Sequence, residues 1–231
     1  MTVHTPPVLD RAAWEPAHVA HLAREKEFTR ARDAISASRR ELPWLEISEP
    51  YAFDTNNGPN TLSDLFAGEQ QLIIYHFMMG PDWEEGCPSC SFWADGYNGV
   101  IEHLAARDTT LMTVSRAPLA NINAYKARMG WNFEWASSLG SEFNYDFGVS
   151  FREDSSELDY NFGTQSFGGE EAPGLSTLIQ QDGTVYLTNQ VFSRGLDLFN
   201  NAYHMLDATP MGRHEGDLPW PMAWLRRHDS Y

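Results

Sequence analysis

The amino-acid sequence predicts an α/β protein in which a mixed central sheet is flanked by helices, with a helical extension before it and an irregular extension after it. Two strand-like runs alternate with helical segments, and a hairpin pattern follows them, so parallel and antiparallel strands are expected in one sheet. The composition, with 42% hydrophobic and 13% aromatic residues, is sufficient for a buried core. We therefore expect an N-terminal helical arm at residues 1–44, a sheet domain at 45–206, and a C-terminal tail at 207–231 that packs on the domain.

The first predicted element is a helix over residues 16–40. Pro16 suits the first turn of a helix, the interior is rich in Ala, Arg and Glu, and Pro43 ends the pattern. The apolar seam is thin, so we expect this helix to pack on the domain or on a second subunit, which would make the protein a homo-oligomer. Glu25 and Glu27 lie among the basic residues and argue against an arm that binds nucleic acid.

The sheet is predicted from apolar runs and turn signals. Residues 72–77 form a continuous apolar run, which is typical of a central strand covered on both faces. Asp182 and Gly183 suit the turn of a hairpin between two strand-like runs. In chain order the predicted elements are a strand at 51–53, a turn at 56–59, a helical turn at 61–66, a strand at 72–77, a helix at 91–107, a strand at 110–114, a helix at 120–129, hairpin strands at 175–180 and 185–189, and a helix at 196–206.

The charge of the chain excludes several classes of partner. With 16 basic and 32 acidic residues the net charge is −16, which repels nucleic-acid phosphates and anionic lipid. No apolar run approaches the ~20 residues of a membrane span, and the first residues lack the basic and apolar regions of a secretory signal. We therefore expect a cytoplasmic protein with no nucleic-acid or membrane partner. The acidic run at 153–157 is expected to form a solvated loop.

The two cysteines, Cys87 and Cys90, lie where a helix is expected to begin after the central strand. Helix N-termini at this edge of an α/β sheet present free N–H groups, which stabilise a thiolate and lower its pKa. Pro88 suits the first helical position. We predict Cys87 as the attacking thiolate and Cys90 as the resolving thiol, in a protein that acts on a thiol or disulfide substrate or on a redox partner protein.

Four further residues are candidates for tuning the thiols or binding a substrate. His76 ends the central strand and Arg116 follows the next one, so both are expected at the same sheet edge. Alternatively, His76 is a core histidine, and Arg116 forms a structural ion pair with one of the acids at 79–86, which are Asp82, Glu84 and Glu85. Those acids would also raise the pKa of a nearby thiol. Trp83 and Trp93 flank the cysteines and are candidates for the walls of an apolar cleft.

These motifs carry a resemblance at two levels. A strand, Cys-Pro-Ser-Cys, a helix and a late strand at 174–178 resemble the thioredoxin-like superfamily, and most of the chain is similar to the bacterial family DUF899, whose members are grouped with it. The segments that carry the second resemblance lie at 41–44, 62–66, 75–78, 87–91, 115–119, 129–131, 143–148, 194–197, 212–213 and 228–231. The resemblance implies a thioredoxin-like fold, but no particular activity. It also implies that Ser176 stands where thioredoxins place a cis-proline opposite the cysteines, which makes Ser176 a further candidate for the wall that contacts a substrate.

Two alternatives to a dithiol–disulfide oxidoreductase stay open. Two thiolates with His76 form a soft ligand set for copper or zinc, with His103 as a weaker additional ligand. A closed zinc site needs four ligands, so a two- or three-coordinate copper site is the more favourable metal site. A non-catalytic thioredoxin-fold binding protein is the other alternative. No phosphate loop or dinucleotide fingerprint is present, so no nucleotide cofactor is predicted.

Overall fold

The predicted central strand lies in the middle of an eight-stranded mixed sheet. The computed structural model describes residues 5–152 and 160–231. The strands are β1 (Leu45–Ile47), β2 (Ala52–Thr55), β3 (Gly58–Thr61), β4 (Gln71–His76), β5 (Thr109–Ser115), β6 (Glu134–Ser137), β7 (Gly174–Gln181) and β8 (Thr184–Phe192). Their order across the sheet is β1-β8-β7-β4-β5-β6-β2-β3. Because β4 is parallel to β5 but antiparallel to β7, the prediction of a mixed sheet is confirmed.

Short helices connect the strands, and the chain divides into two units, Met1–Pro43 and Trp44–Tyr231. Among the described residues, no helix combines the length and the apolar character needed to cross a membrane. The helices are α1 (Arg11–Arg39), α2 (Pro88–Ala94), α3 (Ile101–Ala105), α4 (Leu119–Arg128), α5 (Phe143–Asp146) and α6 (Asn201–Asp207), with 3-10 helices at Asp64–Phe66, Ser193–Phe199 and His228–Ser230.

The first unit contains α1, which begins five residues before the predicted start. Asp10 caps the helix, since the Ala13 N–H donates a 2.9 Å hydrogen bond to the Asp10 carboxylate. Pro16 therefore lies inside the helix and not in its first turn. The carboxylate of Asp10, and not Pro16, therefore sets the start of the helix.

Two predicted helices are each interrupted. The segment at 91–107 contains the second half of α2, which begins at Pro88, and the whole of α3, because residues 95–100 between them include two glycines, which are poor helix formers. The segment at 196–206 begins as a 3-10 helix and continues as α6. Asn200 caps α6 by accepting a 2.8 Å hydrogen bond from the Tyr203 N–H.

The edges of the sheet differ most from the prediction. β2 and β3 form a hairpin in which Thr55 pairs with Gly58, where only one strand and a turn were predicted. β1 was not predicted and pairs with β8. The acidic run at 153–157 lies outside the described residues.

The two faces of β4 contribute to two separate cores. Leu72 and Ile74 pack in one core, whereas Tyr75 packs in the other core together with Cys90 and Trp93. Successive side chains of a strand point to opposite faces, so the position of a residue in β4 decides which core it enters. The cysteines therefore share a face with Tyr75.

Candidate functional site

Cys87 is the N-cap residue of α2, and Cys90 lies about one turn further along the same helix. Pro88 is the first helical residue, and its fixed φ angle favours this position. The Cys87 N–H donates a 3.1 Å hydrogen bond to the Met78 carbonyl, which returns the connecting loop to the end of β4. Both thiols are free, with Cys87 half-buried and Cys90 only 1% exposed.

The environments of the two thiols shift their pKa values in opposite directions. The pKa of Cys87 is lowered to about 6, chiefly because the Cys90 thiol donates a hydrogen bond to the Cys87 sulfur. Burial of Cys87 raises its pKa and so opposes this effect, while the N–H groups of Cys90 and Ser89 lower the pKa further. The Cys87 side chain does not accept a regular N-cap hydrogen bond from either N–H group. Burial and the nearby Cys87 sulfur raise the pKa of Cys90 well above its usual value. Near neutral pH the pair therefore consists of a thiolate and a thiol.

The acids of the preceding loop do not prevent this thiolate from forming. Glu85 forms ion pairs with Arg128 and, at 2.9 Å, with Arg227. Its charge is therefore compensated by two guanidinium groups. The sequence did not tell whether the loop acids, which raise the pKa of Cys87, or the groups at the start of α2, which lower it, have the larger effect. The lowered pKa of Cys87 shows that the groups at the start of α2 have the larger effect.

A residue of the C-terminal segment, Arg227, braces the peptide that precedes the cysteine pair. Arg227 donates one hydrogen bond to the Gly86 carbonyl at 2.8 Å and another to the Tyr125 hydroxyl at 3.0 Å. The Tyr125 hydroxyl lies 2.8 Å from Ser91 Oγ, and Ser91 Oγ donates a 2.9 Å hydrogen bond to the Cys87 carbonyl. A continuous polar network thus connects the C-terminal segment to both sides of the Cys87 backbone.

We expect Arg227→Ala to lower the free energy of unfolding by about 1–3 kcal/mol, because the hydrogen bonds to Gly86 and Tyr125 and the ion pair with Glu85 are lost. Urea unfolding measures this difference. Arg226→Ala is the matched control, since the neighbouring Arg226 is exposed and should change stability by less than about 0.5 kcal/mol. Equal effects of the two substitutions would show that the brace contributes no stability.

A cavity of about 730 Å³ opens at Cys87 and Cys90. Trp93 and Leu196 form part of its wall and are fixed to each other, since Trp93 Nε1–H donates a 2.8 Å hydrogen bond to the Leu196 carbonyl. Tyr160 belongs to another part of the wall, where its hydroxyl donates to the Pro173 carbonyl at 2.6 Å. The volume lies in the range of small-molecule binding sites.

The two candidate tryptophans differ in their relation to this cavity. Trp93 is buried and lines it, as the interpretation of a cleft wall requires. Trp83 is 37% exposed and is not among the described residues that line the cavity. Only Trp93 therefore remains a candidate for contact with a substrate in this cavity.

The structure places His76 and Ser176 on the opposite face of the sheet from the cysteines. His76 Nε2 lies 2.8 Å from Ser176 Oγ, and the imidazole packs against Phe143 and Phe147, with ring centroids 5.7 Å apart in both cases. This corrects the expectation that His76 stands beside the thiols to tune them or to share a metal, and the expectation that Ser176 lies opposite the cysteines in a substrate wall. Within residues 5–152 and 160–231, no group of three or more His, Cys, Asp or Glu side chains is arranged to hold a metal ion. Copper or zinc bound by the thiols with some other ligand stays a prediction.

The buried His76 makes the stability of the fold depend on pH. Burial lowers the pKa of His76 to about 3, against 6.5 for an exposed histidine. Between these values the unfolded chain binds a proton that the folded chain does not, so stability falls as the pH falls from 6.5 towards 3. We expect His76→Gln to remove a slope of up to about 1.4 kcal/mol per pH unit, measured by urea unfolding at several pH values. An unchanged slope in the variant would contradict this assignment.

Arg116 forms an ion pair, but not with the acids of the loop at 79–86. Its Nη1 atom lies 2.8 Å from Glu171 Oε1, and the guanidinium lies over the Tyr145 ring at 4.5 Å from the ring centroid. The Ser150 hydroxyl donates a 2.6 Å hydrogen bond to the other oxygen of Glu171. The partner is thus Glu171, and Arg116 is not among the described residues that line the cavity.

Several site residues were missed by the sequence analysis. Pro173 lines the cavity immediately before β7, and its peptide bond, like the others in the described part of the chain, is trans. A proline directly before a predicted strand is a signal that could have identified it. Tyr75, whose hydroxyl donates to the Cys90 carbonyl at 3.2 Å, is marked only by its position next to His76. Met222 reaches the cavity from the C-terminal segment and carries no sequence signal.

The mixed sheet with β4 near its centre, connected by helices, has the thioredoxin-like arrangement, and the dithiol lies at the start of the helix that follows β4. The family model described as "Bacterial protein of unknown function (DUF899)" matches residues 3–231. The chain belongs to this family, as the sequence motifs indicated. No curated protein matches the sequence.

Solved structures of peroxiredoxins are among those to which this chain is similar. Peroxidoxin BcpB from Mycobacterium tuberculosis is similar with a TM-score of 0.50 and 11% identity, covering 68% of this chain and 93% of that one. A Cys-to-Ser mutant of PrxQ from Xylella fastidiosa gives a TM-score of 0.45 and 14% identity, over 71% of this chain and 95% of that one. The mitochondrial 2-Cys peroxiredoxin from Plasmodium falciparum gives a TM-score of 0.43 and 13% identity, covering 72% of this chain and 92% of that one. At 11% identity the likeness to BcpB shows the thioredoxin-like fold alone.

Proposed function

We propose that the protein is a dithiol–disulfide oxidoreductase. The observation that carries the proposal is a pair of free thiols at the cavity, of which Cys87 has a lowered pKa and Cys90 a raised one. The attacking sulfur in thiol–disulfide exchange must be a thiolate, while a protonated partner keeps its proton until the second step. The thioredoxin-like fold supports the same chemistry by analogy only.

The reaction proceeds in two exchange steps. The Cys87 thiolate attacks one sulfur of the substrate disulfide, whose S–S bond breaks, and the released thiolate takes a proton from solvent. Cys90 then attacks the Cys87 sulfur in the mixed disulfide, and its proton passes to the second released thiol. The substrate gains two electrons and two protons, and the protein is left with a Cys87–Cys90 disulfide that an external thiol must reduce.

Trapping of the intermediate tests this proposal. In Cys90→Ser the second step is blocked, so a mixed disulfide with a small disulfide reagent should accumulate on Cys87 in a stoichiometry near one. Mass spectrometry under non-reducing conditions detects the adduct. The matched variant Cys87→Ser should form less than about a tenth as much, because Cys90 is buried and its pKa is raised. Equal adduct on both variants, or none on either, would refute the assigned roles.

A thiol peroxidase that uses the same pair is the second candidate, because the thiolate lies at a cavity of small-molecule size. In this reaction the Cys87 thiolate attacks the terminal oxygen of a hydroperoxide, the O–O bond breaks, and the alcohol leaves with a proton from solvent. Cys90 then attacks the resulting sulfenic acid, and water is released as the disulfide forms. Release of one alcohol per Cys87–Cys90 disulfide, absent in Cys87→Ser, would identify this activity.

A further inference from the structure

We infer that the substrate of the proposed reaction is a small, uncharged organic molecule with an apolar body, and not a disulfide in a folded protein. The inference rests on the proposed function of Cys87 and names the class of molecule that its cavity accepts. The body would lie against the apolar walls while the reducible bond, S–S or O–O, meets the Cys87 sulfur.

Apart from the two cysteines, eight of the described residues that line the cavity are apolar or aromatic, five are polar and uncharged, and two are charged. Trp93 and Leu196 are buried, and Phe167 and Met222 are half-buried at the same cavity. A ligand body that covers such side chains gains free energy in proportion to the apolar area removed from water. A hydrophilic substrate would cover the same area without this gain.

The walls are held in place by hydrogen bonds that do not involve a ligand. The Tyr160 hydroxyl accepts a 2.8 Å hydrogen bond from the Ser193 N–H in addition to its own bond to the Pro173 carbonyl. Trp93 is fixed to the carbonyl of Leu196. The cavity is thus formed before a substrate arrives, as is usual for small-molecule sites.

The charges at the cavity are already paired. Of its described lining residues, Arg194 and Asp197 are the ones with charged side chains besides the Cys87 thiolate, and they lie 3.1 Å from each other. Asp197 also binds Arg213 at 2.7 Å, while Arg194 is 82% exposed. No uncompensated cation is therefore buried among these described residues to receive an anionic group. The net charge of −16 further disfavours anionic disulfides such as oxidised glutathione.

The same arrangement disfavours a disulfide held in a folded protein. Cys87 is half-buried, and side chains of three separate segments, represented by Trp93, Phe167 and Met222, stand around its cavity. A protein substrate would have to insert its disulfide between these segments, which a rigid surface disulfide cannot do without rearrangement. A small molecule enters without such a change.

The experiment compares single-turnover oxidation of the reduced full-length protein at pH 7 by pairs of probes that share a reducible bond. Dipropyl disulfide is paired with oxidised glutathione, cumene hydroperoxide with hydrogen peroxide, and insulin serves as the protein disulfide. Each rate is divided by the rate of the same probe with free N-acetylcysteine. In one of the two pairs we expect the normalised oxidation rate with the apolar probe to exceed that with the polar probe at least tenfold. That pair identifies which bond of the substrate, S–S or O–O, the protein reduces.

Substitutions of the wall test whether the cavity causes this preference. Phe167→Ser should reduce the ratio of the apolar to the polar rate at least fivefold. The rate of Cys87 alkylation by iodoacetamide should meanwhile stay within twofold of the wild type. Phe162→Ser is the matched control, because Phe162 belongs to the same segment but is 72% exposed and is not among the described lining residues. Met222→Gln, which is similar in size, is the second variant should Phe167→Ser not fold.

The outcomes separate the inference from the proposed function. Insulin oxidising the protein as fast as the apolar probes, no advantage of the apolar member in either pair, or an advantage unaffected by both wall variants would overturn the inference. A Cys87 that shows no thiolate titration below pH 8, together with no Cys87–Cys90 disulfide after any probe, would instead overturn the proposed function.

Discussion

Alkylation of Cys87 by iodoacetamide is expected to follow a titration with its midpoint near pH 6, where a free cysteine titrates near 8.5. At pH 6 about half of Cys87 is thiolate, roughly 150 times the thiolate fraction of a free cysteine. A thiolate of lower pKa is also a weaker nucleophile, by about a factor of ten at this difference in pKa. The expected net effect is therefore an alkylation rate about tenfold higher than that of free cysteine at pH 6, measured from pH 5 to 9.

The main cause of the shift can be tested by substitution. Because the hydrogen bond from the Cys90 thiol is the largest cause of the low pKa, Cys90→Ala should move the midpoint upwards by at least one pH unit. Ser89→Ala should move it less, since the Ser89 hydroxyl is the smallest of the stabilising groups. A larger effect of Ser89→Ala would show that the Cys90 thiol is not the dominant partner.

The same shift has a consequence for stability. The pKa of Cys87 is lower in the folded than in the unfolded chain, so the thiolate stabilises the folded reduced protein. This contribution is complete above pH 9 and is lost as the pH falls to 6, because the unfolded chain binds the proton over that interval. The stability advantage of the reduced wild type over Cys87→Ser should therefore decrease from pH 9 to pH 6 in urea unfolding.

The inner part of the sheet was predictable because its signals are local. The apolar run of β4 and the Asp182-Gly183 turn between β7 and β8 involve residues a few positions apart, and both residues of that turn have positive φ angles, as the turn requires. β1 and β3 have three and four residues, which is too short for an apolar periodicity to predict them. They exist because they pair with β8 and β2, which is a tertiary effect that periodicity does not contain.

The candidate site was predictable only in part for the same reason. The spacing of Cys87 and Cys90 is local, and so is the proximity of Trp93. His76 was misplaced because the sequence did not tell which face of β4 carries α2, and a displacement of one residue along a strand changes the face. Arg227 and Met222 belong to the C-terminal segment but contact the site, and no motif or spacing in the sequence predicts such a contact.

The loop that leads into the cysteine pair is expected to tolerate no side chain at Gly86. A Cβ atom built there would lie 2.4 Å from Cε1 of Phe77 and 2.7 Å from Cε1 of Tyr125. The Phe77 ring cannot easily yield, since it packs against Trp131 and Trp135 with ring centroids 6.0 and 4.6 Å away. We expect Gly86→Ala to lower the free energy of unfolding by about 3 kcal/mol, measured by urea unfolding.

The matched control is Gly99→Ala, because an added Cβ at the exposed Gly99 would meet no atom within 4 Å. Its effect on stability should stay within about 0.5 kcal/mol. Gly86 immediately precedes Cys87, and its carbonyl accepts the hydrogen bond from Arg227, so relief of the clash must displace the start of α2. The alkylation midpoint of Cys87 should therefore rise in Gly86→Ala and stay near pH 6 in Gly99→Ala. A destabilised variant with an unchanged midpoint would mean that the thiolate does not depend on the packing of this loop.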